Sequence, residues 1–238
     1  MNNSQKVLSL KGGKLMEVML IRHADPNYRE DTITERGRRE AEALALSLRH
    51  RGLDDLYVSP LGRAQETCRY IAEALKVRPV TLDWLREIQL EVDLGYAPWD
   101  FPGDDYLSRS HLPSPDKWWQ GFEIGEPLKP HFLKIARGFD GLMEDYGYRK
   151  FGNLYKLERP SDKRIALVAH GGMIMTLLAY LLHWPLPLVY IHCTIDTTGV
   201  TRLIWREFDS GYAIPKLMEL NDLSHLAYLD EAIRPVSP

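Results

Sequence analysis

Short apolar runs alternate along this chain with stretches whose apolar residues recur at helical spacing, and no other feature narrows the fold as much. Glu17-Val18-Met19-Leu20-Ile21 runs into charged residues and suits a buried strand. A polar loop from Arg22 to Ile33 follows. Thr34 is then placed to cap a helix with Ala41, Leu44, Ala45 and Leu48 on one face, and Gly52 ends it. Leu56 to Val58 reads as the next strand. Ser59-Pro60 opens a second helix, whose inner stripe is Ala64, Thr67, Cys68, Ile71, Ala72 and Leu75. Pro79 to Leu82 reads as a third strand and Arg164 to Ala169 as a fourth. The fourth leads into His170-Gly171-Gly172 and a helix apolar on nearly every side. Val200 to Trp205 and Ala213 to Leu217 read as closing strands. Strands alternating with helices predict an α/β fold: a three-layer sandwich, with a mostly parallel sheet and helices on both faces.

The length of 238 residues fits one large domain with an insertion. Residues 1–14 are polar and read as a disordered leader, and residues 15–238 as the domain. The insertion lies at about 92–130 and reads as lid-like: from Gly95 to Pro130 it holds six prolines together with Tyr96, Trp99, Phe101, Tyr106, Trp118, Trp119 and Phe122. Trp118 and Trp119 are the candidates there to contact an apolar or ring-bearing ligand; the alternative is that these rings form the insertion's own small core. An amphipathic helix follows, with Phe132, Ile135, Ala136, Phe139, Leu142, Met143 and Tyr146 on one face.

A net charge of -3 with scattered Lys and Arg points to neither a nucleic-acid partner nor a membrane surface. No apolar run approaches the ~18 residues that span a bilayer. The two cysteines, Cys68 and Cys193, sit in apolar surroundings and read as reduced, packed thiols, so a cytoplasmic location is expected.

In a parallel sheet of this kind, ligands bind beyond the carboxyl ends of the strands, where the winding direction reverses. Arg22-His23 follows the first strand, Arg63 lies one turn into the helix after the second, and His170 follows the fourth. Residues about 150 positions apart in the chain can therefore share one cleft. His50, His111, His131, His183, His192 and His225 have no comparable setting. Two guanidinium groups and two imidazoles converging on one cleft describe an anion site: guanidinium matches phosphate oxygens bidentately, and imidazole can be either nucleophile or cation near neutrality.

Those residues carry a resemblance. Leu20-Ile21-Arg22-His23-Ala24 resembles the Arg-His-Gly signature of the histidine phosphatase (phosphoglycerate mutase-like) superfamily, branch 1. Ser59-Pro60-Leu61-Gly62-Arg63-Ala64-Gln65-Glu66-Thr67 is similar to its second signature, Leu85-Arg86-Glu87 to the segment with its proton-donor glutamate, and Val168-Ala169-His170-Gly171-Gly172 to the segment with its second histidine. All four stand in the family's order, between about Glu17 and Leu226. Two departures are visible. Ala24 replaces the usual glycine, which restricts the backbone beside His23. The loop from Asp25 to Arg29 lacks the usual Glu-Thr followed by a clear Asn, so Asn27 and Arg29 are candidates for substrate contact, with a solvated loop as the alternative.

The resemblance implies that His23 attacks phosphorus and becomes a phosphohistidine. Arg22, Arg63 and His170 would hold the phosphoryl oxygens, with backbone N–H groups of Gly171 and Gly172 adding to the pocket. Glu87 would protonate the departing oxygen and then activate water, with Glu91 and Asp93 as rivals nearby. Such a glutamate needs a raised pKa. No metal and no other cofactor is expected, because the histidines lack zinc-site spacing. Lys11-Gly12-Gly13-Lys14 fails the phosphate-loop pattern, and a Gly-x-Ser-x-Gly elbow is absent. The expected activity is hydrolysis of a small phosphorylated metabolite. A phosphoglycerate-type phosphomutase and a non-catalytic phosphate-binding module are the alternatives, and the partner expected is that substrate, with a homodimer left open.

Overall fold

Val18, Met19, Leu20 and Ile21 are all essentially inaccessible, as a strand packed on both faces requires. They form β1 (Glu17–Arg22) at the centre of an eight-stranded sheet in a computed structural model that describes residues 15–91, 94–112, 114–227 and 229. The leader expected at residues 1–14 and the rival carboxylate Asp93 lie outside the described residues.

Two short strands, β2 (Pro26–Asn27) and β3 (Thr32–Ile33), pair as a small hairpin before α1 (Glu35–Arg51). Thr34 caps that helix by accepting the Gly37 N–H, and Gly52 closes it at a φ of 74°. β4 (Asp55–Val58), α2 (Gly62–Leu75) and β5 (Pro79–Thr81) follow, with α2 opening after Leu61 rather than at Ser59-Pro60, whose serine hydroxyl instead closes a turn on the Leu61 N–H. The insertion contributes a short helix, α3 (Asp104–Leu107), before α4 (Gly125–Asp145). The hairpin of β6 (Tyr148–Phe151) and β7 (Leu154–Leu157) comes next, then β8 (Arg164–Ala169), α5 (Gly171–Leu182) and α6 (Leu186–His192). β9 (Val200–Glu207) and β10 (Tyr212–Asp222) end the sheet.

The strand order is β5-β4-β8-β1-β9-β10-β7-β6. β5, β4, β8 and β1 are mutually parallel, and from β9 outward every pairing is antiparallel. The parallel part needs helical crossovers, which supply both flanking layers. One face packs on α1 and α2 through Leu44, Leu48, Ala64, Cys68 and Ile71, the other on α4 and α5 through Ile135, Phe139, Ile174 and Leu178.

Three further local expectations shift. The β6–β7 hairpin adds two strands to those expected, closed by Gly152-Asn153, a hairpin signal between two short runs. α4 begins at Gly125, ahead of two prolines. Pro127 falls where first-turn N–H groups have no acceptor anyway, while Pro130 forfeits one bond that the buried face of the helix outweighs. In the insertion, Tyr106, Trp118 and Phe122 are buried in the same cluster as Phe139 and Leu178, so its rings extend the main core.

Candidate active site

Register builds the site. β1 pairs with β8 so that Arg22 lies opposite Ala169, and β4 pairs with β8 so that Val58 lies opposite Val168. The next residue on each strand is therefore His23, His170 or Ser59. Neighbouring strands stand ~4.8 Å apart, and the His23 and His170 ring centroids are 5.1 Å apart. Both rings are buried.

His23 is oriented through its own backbone neighbour. Nδ1 lies 2.8 Å from the Ala24 carbonyl, which can only accept, so Nδ1 carries the proton and Nε2 keeps its lone pair. The Arg63 Nε donates to that Nε2 at 3.3 Å. Burial, opposed by the Ala24 bond and reinforced by Arg22 and Arg63, lowers the imidazole pKa to about 3, so the ring is neutral at any working pH. Ala24 itself lies outside the left-handed region, so alanine in place of glycine carries no strain. Its N–H goes to the Thr67 hydroxyl, which in turn donates to the Arg63 carbonyl, tying the loop after β1 to the start of α2.

Arg63 is aimed from the other side by Asp31. That carboxylate accepts Arg63 Nη1 at 2.6 Å and the Gly62 N–H at 2.6 Å. Burial pushes the Asp31 carboxyl up, but the Gly62 N–H and Arg63 outweigh it and the pKa falls. Asp31, at a φ of 51°, had no signal in the sequence beyond lying in the loop. Tyr28, 65% exposed, lies beneath the same guanidinium, 5.4 Å from ring centroid to carbon. Its neighbours differ. Asn27 donates to Glu30, and Arg29 is exposed.

Arg22 donates Nη1 to the Ile195 carbonyl at 2.5 Å, and its buried Nε has no partner. The guanidinium lies against Gly171, 3.6 Å from where a Cβ would stand. His170 Nε2 is 2.7 Å from the Ser59 hydroxyl, which also accepts the Leu61 N–H at 3.3 Å. The hydroxyl keeps both a proton and a second lone pair, so the bond runs from Ser59 to Nε2 in one His170 tautomer, with the ring proton on Nδ1, and from Nε2 to Ser59 in the other. Nδ1 is buried without a partner. Burial, then His23, Arg63 and Arg22, hold the His170 pKa far below its ordinary value. Two buried nitrogens, Arg22 Nε and His170 Nδ1, are thus unpaired in the cleft that holds the neutral His23 ring, an arrangement suited to an oxyanion.

Glu87 docks on the N-terminus of α5. Its Oε1 accepts the Ile88 and Met173 N–H groups at 3.0 and 2.9 Å, and Oε2 accepts the Gly172 N–H at 3.2 Å. Those bonds and Arg22 favour the carboxylate, yet burial prevails and raises its pKa to about 7. The Gly172 N–H is therefore committed to Glu87 and is not open to an anion, whereas Gly171 N–H takes no partner among the described residues. Glu91 is exposed and makes no such contact.

The insertion supplies a different tryptophan from the pair singled out by sequence. Trp118 is 2% exposed and packs against Trp119, Phe122 and Phe132, and Phe132 meets Tyr180 on α5. Tyr180 is nine residues beyond Gly171, roughly 14 Å along the helix axis. Trp118 is thus a core residue far from the imidazoles, and Trp119 instead lies under Lys129, 4.0 Å from its ring centroid. Trp99 comes closest: a Cβ on Gly172 would stand 2.2 Å from its ring. Among the described residues no group of three or more His, Cys, Asp or Glu could hold a metal ion, and no helix is long and apolar enough to cross a membrane.

A family model described as the histidine phosphatase superfamily (branch 1) matches residues 18–212. The chain is 29% identical over 181 residues to a probable phosphoglycerate mutase of Yersinia pestis, covering 72% of this chain and 77% of that one. Among solved structures it is similar to phosphoserine phosphatase of Entamoeba histolytica, with a TM-score of 0.60, 23% identity and coverage of 89% of this chain and all of the other. It is also similar to a mycobacterial glucosyl-3-phosphoglycerate phosphatase at a TM-score of 0.60, 21% identity and coverage of 86% and 98%. A third, the alpha-ribazole phosphatase of Shigella flexneri, matches at a TM-score of 0.58, 20% identity and coverage of 87% and 97%.

Proposed function

Because the chain belongs to the histidine phosphatase superfamily, branch 1, we propose that it hydrolyses a small phosphomonoester through a phosphohistidine on His23, with no metal in the reaction. The observation that carries this reading is the cleft shared by a neutral His23, with its lone pair on Nε2, the Arg63 guanidinium and two buried nitrogens, Arg22 Nε and His170 Nδ1, that no protein group satisfies.

In the first step the His23 Nε2 lone pair attacks phosphorus, the N–P bond forms, and the ester P–O bond breaks. Arg22, Arg63 and His170 take the three non-bridging oxygens, with the Gly171 N–H nearby. Burial and then the neighbouring positive charges hold His170 neutral, and approach of a phosphate dianion opposes both, so this ring gains basicity as the anion binds. Glu87 gives its proton to the departing oxygen. In the second step water attacks phosphorus, Glu87 takes its proton, the N–P bond breaks, and orthophosphate leaves. Two guanidiniums supply the charge neutralisation that a metal supplies in other phosphatases, and general acid–base help contributes about 10²–10⁴-fold.

The substrate side of the pocket belongs, in this reading, to Tyr28 and Trp99 at the rim, with Asn27 and Arg29 within reach of a longer substrate. The unpaired thiols of Cys68 and Cys193 fit a reducing, cytoplasmic setting.

The test is turnover of p-nitrophenyl phosphate in the presence of EDTA. Hydrolysis that survives chelation and vanishes in His23→Ala supports the reading; loss on chelation, or full activity in His23→Ala, overturns it. A second reading, phosphoglycerate mutase, is favoured by the name of the Yersinia relative. Isomerisation of 3-phosphoglycerate with little release of orthophosphate would establish it. Binding of phosphate esters without either reaction would leave a binding module.

A further inference from the structure

Arg22 is held in place by a turn that none of the recognisable signatures contains. The turn at residues 195–199, between α6 and β9, touches Arg22 and His23 through three backbone groups. The Ile195 carbonyl takes the Arg22 guanidinium, the Gly199 carbonyl takes the Arg22 N–H at 3.3 Å, and the Thr198 N–H serves the Arg22 and His23 carbonyls at 3.1 and 3.2 Å. Thr198 pays for this with a φ of 56°, a costly conformation for a β-branched residue, so something must hold it there.

Two residues brace the turn: His225 Nε2 lies 2.9 Å from the Thr198 hydroxyl, and Asn221 holds the residues on either side. Asn221 Oδ1 accepts the Asp196 N–H at 2.8 Å while its Nδ2 donates to the Asp196 carboxylate at 2.7 Å, a reciprocal clasp at the start of the turn. Oδ1 also abuts Gly199, where a Cβ would stand 2.1 Å away. Asn221 reaches these groups because β10 breaks register with β9 between Glu219 and Asp222, and Asn221 itself adopts a φ of 52° within that irregularity.

We propose that Asn221 is a positioning residue for phosphate binding: by clasping Asp196 it holds the Ile195 carbonyl on Arg22, leaving the unpaired Nε aimed at the anion. This rests on the proposed role of Arg22. An arginine held by one strong bond and free at Nε is preorganised, whereas one released from Ile195 has to be ordered again by each ligand.

Asn221→Gly is the sharpest perturbation, because glycine accepts the left-handed backbone without strain and only the clasp is lost. The probe is inorganic orthophosphate, titrated by calorimetry into wild type, Asn221→Gly, Arg22→Ala and the double variant. Asn221→Gly is expected to weaken binding by about tenfold, the lower end of what supporting partners contribute at a charged ligand. In the Arg22→Ala background the same change is expected to do almost nothing. An undiminished loss in that background, or wild-type affinity in Asn221→Gly, overturns the inference; wild-type affinity in Arg22→Ala instead overturns the reading of Arg22. If Asn221→Gly does not fold, Asn221→Asp replaces it. That change sets two carboxylates against each other, and Asp196→Asn added to it is expected to restore the clasp and the affinity. Failure of that rescue in folded protein equally overturns the inference.

Discussion

Replacing Glu87 by glutamine removes a proton without removing the shape of the side chain, and the surroundings of Glu87 allow the consequence to be worked out. An ordinary glutamate at a pKa of 4.5 is protonated to only about 0.3% at pH 7, whereas Glu87 at about 7 is half protonated. Burial has therefore raised the available acid by roughly 150-fold, equivalent to about 3 kcal/mol. That gain is useful only if the departing oxygen needs a proton. With an alkyl phosphate, kcat/KM in Glu87→Gln should fall by about 10²–10⁴-fold. With p-nitrophenyl phosphate, whose leaving group departs as the anion, it should fall by less than about tenfold. The pH profile gives a second reading. Wild-type kcat/KM for the alkyl substrate should decline above about pH 7 as Glu87 ionises, and this limb should be missing in the variant. Equal losses with both substrates, or a limb that survives the substitution, would refute the assignment of the acid to Glu87.

Three further outcomes follow from the same geometry. Asp31→Asn weakens the ion pair that aims Arg63, so KM for any phosphomonoester should rise several-fold with a smaller change in kcat, measured by steady-state kinetics. His23 has a folded pKa of about 3 against 6.5 unfolded; the native state then binds fewer protons between those values, and stability is lost as pH falls through that window. Urea unfolding should show wild type losing on the order of 5 kcal/mol relative to His23→Gln between pH 6.5 and 3, and parallel curves would contradict the burial of a neutral ring. Gly172→Ala would drive a methyl group into the Trp99 ring. It should lower kcat through displaced Glu87 partners and quench or shift tryptophan fluorescence, and an unchanged enzyme would mean that the ring yields freely.

Residues adjacent in sequence announced most of the scaffold. Val18 to Ile21, Leu56 to Val58 and Arg164 to Ala169 are too apolar and too short for anything but interior strands. Arg22-His23, Arg63 and His170 were legible because each stands at a strand end or helix start, whereas Glu87, in the irregular stretch after Asp83–Leu85, was named only through the resemblance of its segment. The Gly152-Asn153 turn is a weaker signal, since the flanking runs carry lysine and arginine that blur the alternation. Trp118 misled because local sequence cannot distinguish a tryptophan that fills the core from one at the rim; that depends on which side of α5 the insertion crosses.

The order of apolar and polar residues along the chain was enough to specify an α/β sheet and to nominate its imidazoles and guanidiniums, because backbone periodicity and strand ends are local properties. Only the folded chain decided which atoms of those groups are spent and which are free. Nδ1 of His23 is committed to its own backbone neighbour while Nδ1 of His170 is not, and Asp31 and the Ile195 carbonyl reach Arg63 and Arg22 across 32 and 173 positions of sequence. Those assignments depend on strand register and on two left-handed backbone positions, and neither leaves a pattern in a run of neighbouring residues.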